Sequence, residues 1–156
     1  TLLTSLIPVL NKNGLKIGLI KHAHHHFEID HPGKDSYELR KAGAREMIVA
    51  SAKRWALVHE SPEREDEPTL NELLPNLSLK DLDLILVEGF KNEPLSKIEL
   101  HRPSMGRPLL YPNDTDIIAL ATDRPINIPK KLPILDLNNV NQIAYFIERS
   151  FLKQKL

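Results

Sequence analysis

The sequence predicts an open α/β fold with a mostly parallel sheet, on three observations. Helical and extended patterns alternate along the chain, which is the signature of strands joined through helices. The run "LDLILVEGF" (residues 82–90) is apolar on both parities, as a strand covered on both faces of a parallel sheet requires. Three apolar strands end in polar pairs, Lys21-His22, Glu88-Gly89 and Thr122-Asp123. In open α/β sheets ligands bind beyond the carboxyl ends of the strands, so these pairs are expected to line one crevice if the strands are neighbours.

The elements follow in order. Residues 1–13 place Leu2, Leu3, Leu6, Val9 and Leu10 at helical spacing, with Asn13-Gly14 as the stop. Pro8 removes one helical hydrogen bond and clashes with the preceding turn, so a kink is expected, or a first turn nearer Pro8. "LKIGLIKH" (15–22) reads as a strand, and "DSYELRKAG" (35–43) as a short helix with Asp35 as N-cap and Gly43 past its end. "EMIVAS" and "RWALVHE" are two strands separated by Ala52-Lys53. "ESPEREDEP" (60–68) is an acidic, proline-flanked surface loop, because charge runs are mostly solvated faces. "TLNELLPNL" is a short helix, and "KIELHR", "DIIALATD" (116–123) and "LPILDL" are strands around the proline-rich loop at 103–114. "NVNQIAYFIERSFLK" closes the chain as an amphipathic helix with Val140, Ile143, Ile147 and Phe151 on one face.

With 156 residues, 41% of them hydrophobic, the chain suits one domain. Lys+Arg and Asp+Glu balance at 21 each, which gives no basic excess for a nucleic-acid backbone. No window reaches a membrane span and the N-terminus has no signal-peptide pattern, so a soluble, cytoplasmic protein is expected. The absence of cysteine excludes disulfides, thiolate zinc sites and a thiol nucleophile. Any metal chemistry must use histidine and carboxylate.

Residues 22–31 hold five histidines, His22, His24, His25, His26 and His31. Zinc ligation is one reading. The helical H-E-x-x-H spacing is missing, however, and His22, His24 and His26 share a face only if the strand continues that far. Imidazoles beside a phosphate pocket are the preferred reading, and solvated loop histidines the plain alternative. "PGKDS" is not a Walker phosphate loop: Glu28 stands where the first glycine belongs and Asp35 replaces the hydroxyl residue. Lys34 and Asp35 then form a charged lip ahead of a helix. Glu88 ends an apolar strand, where a carboxylate needs water or a partner, and a Mg²⁺-nucleotide site supplies both. Asp83 begins that strand about 17 Å away at roughly 3.3 Å per residue, too far to share the site.

"GLIKHAHHHFEIDHPGKDSYELRKAGA", "LDLILVEGFK" and "ALATD" together resemble the signature segments of the molybdopterin-guanine dinucleotide biosynthesis adapter family, MobB, over nearly the whole chain. The resemblance implies a P-loop NTPase-like domain, usually a homodimer, that binds GTP and Mg²⁺, hydrolyses GTP weakly at best, and assists the guanylyltransferase that attaches GMP to molybdopterin. It implies no nucleotide transfer by this chain. The family opens with a strand and a glycine-rich loop ending G-K-[ST]-T-L-L, whereas this sequence opens at "TLLTSLIPVL". The first strand, the phosphate-binding glycines and the loop lysine are therefore expected upstream of a single, N-terminally incomplete domain spanning residues 1–156. Thr1 is expected in the first turn of the phosphate-holding helix.

On that reading Glu88 and Gly89 form a Walker-B-like strand end, with Glu88 acting on Mg²⁺ or its water. Lys21, His22, His24 and His25 stand beside the phosphates. Lys34, Asp35 and Arg40 belong to a mobile segment or to recognition of the pterin substrate. Thr122 and Asp123 are candidates for the guanine base, whose N1–H and amino group a carboxylate accepts. Two other readings stand beside this one: an adapter that binds a partner or the pterin cofactor without nucleotide, and a histidine-based metalloenzyme that would carry stoichiometric zinc.

Overall fold

The structure is a computed structural model, and it describes residues 1–23, 27–129 and 131–152. Helix α1 (Leu2–Lys12) leads into strand β1 (Ile17–Lys21), helix α2 (Asp35–Lys41) and a hairpin of β2 (Glu46–Ser51) and β3 (Arg54–His59). Helix α3 (Leu70–Leu73), β4 (Leu84–Glu88), β5 (Lys97–His101), β6 (Ile117–Thr122), β7 (Ile134–Asp136) and helix α4 (Val140–Phe151) follow.

Pairing is parallel except in the hairpin. β1 pairs with β4, β5 with β6 and β6 with β7, all parallel, whereas β2 and β3 are antiparallel. Instead of one sheet, the described strands form two parallel sheets and a separate hairpin. The two parallel sheets nonetheless line one core. Leu6 and Leu10 of α1 pack with Ala119 and Ala121 of β6, Leu135 of β7, and Ile143, Ala144 and Ile147 of α4; Ile17, Leu84, Leu86 and Ile98 lie against them. The two helices are also joined by Asn13 Nδ2 donating to Glu148 Oε1 at 2.7 Å.

Several expectations need correcting. α1 starts at Leu2 and runs through Pro8, which is exposed, because burial of Leu6 and Leu10 on the opposite side holds the helix across the missing hydrogen bond. The N-cap of α2 is Lys34 in extended geometry; Asp35 is the first helical residue, where its charge still complements the N-terminal end of the helix. β4 is half-buried throughout, not covered on both faces, and pairs only with β1 among the described strands. Phe151 is exposed, and Ala144 takes its place in the buried face of α4. The 103–114 loop is held by its contacts to β5. The buried Glu99 accepts from the amides of Leu110 and Tyr111 at 2.7 and 2.9 Å, which pins the loop to β5.

Candidate functional site

Parallel register places Lys21 directly opposite Glu88 at the carboxyl ends of β1 and β4. Their side chains meet, Lys21 Nζ donating to Glu88 Oε2 at 2.6 Å, and both remain in contact with solvent. One residue on, the backbone of β1 is tied across the gap by His22 N donating to Glu88 O at 2.8 Å. The chain then reverses sharply at Gly89 and Phe90, with φ of +91° and +51°. A Cβ on Gly89 would lie 2.6 Å from the His22 Cβ, so only glycine lets the two strand ends approach this closely. The turn also sets the Phe90 ring 4.8 Å from the His22 imidazole.

The acidic segment at 60–68 is exposed over residues 61–67, as expected of a surface loop, and its carboxylates are nonetheless paired with this centre and its surroundings. Glu67 reaches His22 Nε2 at 2.5 Å. Glu63 pairs with Arg45, and Glu60 with Arg40. Arg64 is held by Glu72, whose carboxyl is lowered to about 2 by that guanidinium together with the amide and hydroxyl of Thr69.

Arg40 takes an internal position. Its guanidinium donates to Glu28 at 2.8 Å, to Asp30 at 2.5 Å and to Glu60 at 2.5 Å, and its side chain is almost wholly enclosed. The three carboxylates raise its pKa, and the Arg40 hydrogen bond in turn lowers that of Asp30. Such a residue ties the segment after the histidines to the start of the acidic loop. Lys34 and Asp35 are exposed at the start of α2.

Thr1 and Thr4 close the first turn of α1, Thr4 Oγ1 donating to Thr1 O at 2.7 Å. Thr122 and Asp123 lie at the end of β6 in the second parallel sheet, beside His101 in register with Thr122. Thr122 Oγ1 donates to Arg124 O at 3.2 Å, and Asp123 Oδ2 accepts from Arg102 Nη1 at 2.6 Å. Lys21, His22, Glu88 and Gly89 are thus brought together, and Thr122 and Asp123 form a second cluster on a different sheet. His24 and His25, and with them most of the histidine cluster, lie outside the described residues.

Glu67, Phe90 and Arg102 were absent from the sequence-derived site. No local pattern marks Glu67 or Arg102, since both meet their partners through the fold; Phe90 follows a strand-end glycine, the one signal available for it. No group of three or more His, Asp or Glu arranged to hold a metal occurs among the described residues. Glu88 alone, half-exposed at a strand end, fits the way Mg²⁺ is held by one carboxylate, waters and substrate phosphates. Were Mg²⁺ held there, Lys21 would have to swing aside, because ammonium and Mg²⁺ repel at that distance.

Residues 1–123 match the family described as molybdopterin guanine dinucleotide synthesis protein B. A molybdopterin-guanine dinucleotide biosynthesis adapter protein of Escherichia coli K12 is 49% identical over 155 residues, 99% of this chain and 87% of that protein. One from Haemophilus influenzae is 42% identical over 149 residues, 95% of this chain and 80% of that protein. Among solved structures, a molybdopterin-guanine biosynthesis protein B superposes with a TM-score of 0.70 at 22% identity over 96% of this chain and 90% of that one. A MobB homologue from Bacillus stearothermophilus gives 0.70 at 19% identity, over 98% and 89%. These likenesses bear out the P-loop NTPase-like α/β fold with mostly parallel strands and flanking helices.

Proposed function

This chain belongs to the molybdopterin guanine dinucleotide synthesis protein B family, and from that premise we propose that it is an adapter in molybdopterin guanine dinucleotide formation that binds GTP with Mg²⁺. The observation that carries the nucleotide reading is the Lys21–Glu88 pair set in register at two parallel strand ends, next to a glycine turn that only Gly89 can make. A cation and a carboxylate side by side at this edge are the groups that phosphate and its magnesium require. In this structure they neutralise each other. On binding, Lys21 turns to a phosphate and Glu88 to the metal or its water, and His22, held by Phe90 and Glu67, supplies an N–H donor to the same anion.

On this reading the protein's task is to bind and present the nucleotide to the guanylyltransferase, with weak turnover at best. Partnership with a second copy has a surface to support it. Ile48, Ala50, Trp55 and Leu57 share one face of the β2–β3 hairpin, and Ile48 and Trp55 are more than 60% exposed. A two-stranded hairpin with one apolar face in water is marginal by itself. The same face from a second copy covers it in an isologous dimer.

The test is calorimetric titration of the full-length protein with GTP, with and without Mg²⁺. Magnesium-dependent binding is expected. Failure to bind GTP under either condition would leave an adapter that meets its partner or the pterin without nucleotide.

A further inference from the structure

Two segments beside the strand-end site are held by one enclosed side chain. The guanidinium of Arg40 donates to the carboxylates of Glu28, Asp30 and Glu60 together, and its carbon stands 5.4 Å from the centre of the Tyr37 ring. Glu28 and Asp30 belong to the stretch that follows His22, and Glu60 opens the acidic loop whose far end, Glu67, meets His22 Nε2. Both connections of His22 beyond its strand therefore run back to Arg40.

Apolar burial does not hold the first of these segments. In Phe27-Glu28-Ile29-Asp30 the alternation is inverted: Phe27 and Ile29 are exposed, and the two carboxylates turn to Arg40. The acidic loop is exposed from 61 to 67, and its Arg45–Glu63 pair is solvated on both sides, where an ion pair contributes little. An enclosed guanidinium shared by three carboxylates is a different case. Without it three like charges would stand close together, which favours separation of the segments that carry them. Lys41 Nζ, exposed and 3.9 Å from Glu28, lacks the planar fork that grips several carboxylates at once.

We propose that Arg40 is a positioning residue for the strand-end site, a clasp that joins residues 28–30 to the acidic loop and so holds His22 in place without itself touching the ligand. This role rests on the reading of that edge as a nucleotide site and supplies its internal support. The clasp orders two exposed segments before the ligand arrives, so that binding does not bear that ordering cost.

The experiment compares the full-length protein with its Arg40→Ala form, with Arg40→Lys, which keeps a charge but lacks the fork, as the second variant should Arg40→Ala not fold. Hydrogen exchange of the unliganded forms, read by NMR, reports the positioning. The His22 amide, bonded to Glu88 O, should gain about tenfold in exchange rate relative to the core amide of Leu120, bonded to Pro133 O. Calorimetric titration with GTP and Mg²⁺ follows the effect to the ligand: Arg40→Ala should weaken binding about tenfold, and should add nothing in a His22→Gln background. An unchanged His22 exchange rate, or one that rises only in step with Leu120, overturns the clasp. Unchanged GTP affinity in folded Arg40→Ala overturns its role at the site, and a full further loss in the His22→Gln background shows that Arg40 does not act through His22. If no form binds GTP, the nucleotide reading fails, and the exchange rates alone decide whether Arg40 positions His22.

Discussion

Replacing Gly89 by alanine separates two costs that the structure assigns to different causes. The first is conformational. Gly89 sits at φ +91°, where an L-residue pays roughly 1–2 kcal/mol for its Cβ. The second is steric, since the new Cβ would fall 2.6 Å from the His22 Cβ and 3.6 Å from its Cα, atoms fixed to backbone and unable to rotate away. Forcing such an overlap costs a further 1–3 kcal/mol or thereabouts. Gly33 is the internal control: its φ is +87°, and a Cβ there meets nothing within 4 Å. Gly33→Ala should therefore show the conformational cost alone. In thermal melting, with about 2–4 °C per kcal/mol for a chain of this size, Gly89→Ala should melt on the order of 10 °C below the parent, and Gly33→Ala about half that or less. Equal losses in the two variants would refute the close packing of His22 against the turn.

Further outcomes follow from other parts of the molecule. Glu72 titrates at about 2 in the folded chain against an ordinary 4.5, chiefly because of Arg64, so its stabilising contribution is present above pH 4.5 and is lost as pH falls from there to 2. The melting temperatures of the parent and Glu72→Gln should therefore differ at pH 6 and converge near pH 2, and a constant gap would contradict the assignment. Trp55→Glu places a charge on the exposed apolar hairpin face, and sedimentation should then report a shift from dimer to monomer at micromolar concentration. An unchanged association constant would move the dimer surface elsewhere.

What was legible in the sequence is what local pattern and chain-end chemistry encode. The apolar runs of β1, β4 and β6 and their polar ends are visible because a strand's period and its exit into water are written in consecutive residues. The Lys21–Glu88 contact needs only the further step that the two strands are parallel neighbours. Interactions made through the fold were not legible. Arg40 joins Glu28, Asp30 and Glu60, and nothing about an arginine inside "ELRKAG" announces three carboxylates from two other segments. Glu67 was hidden in a charge run that reads as solvent-facing, and Arg102 lies 21 positions before the aspartate it holds. Pro8 misled in the opposite direction. Its local cost was read correctly, but burial of Leu6 and Leu10 outweighs it. The partial burial of β4 depends on what packs over its two faces, which composition alone does not specify.

The central claim is that the edge formed by Lys21, His22, Glu88 and Gly89 is a magnesium-nucleotide site, and Glu88→Gln tests it most directly. The substitution keeps size and hydrogen-bonding capacity while removing the charge that holds the metal. GTP titrated into the full-length parent should bind more tightly with Mg²⁺ than without. Glu88→Gln should lose that dependence, with affinity in Mg²⁺ lower by roughly 10–100-fold. Equal Mg²⁺-dependent affinity in the parent and in folded Glu88→Gln would contradict the account.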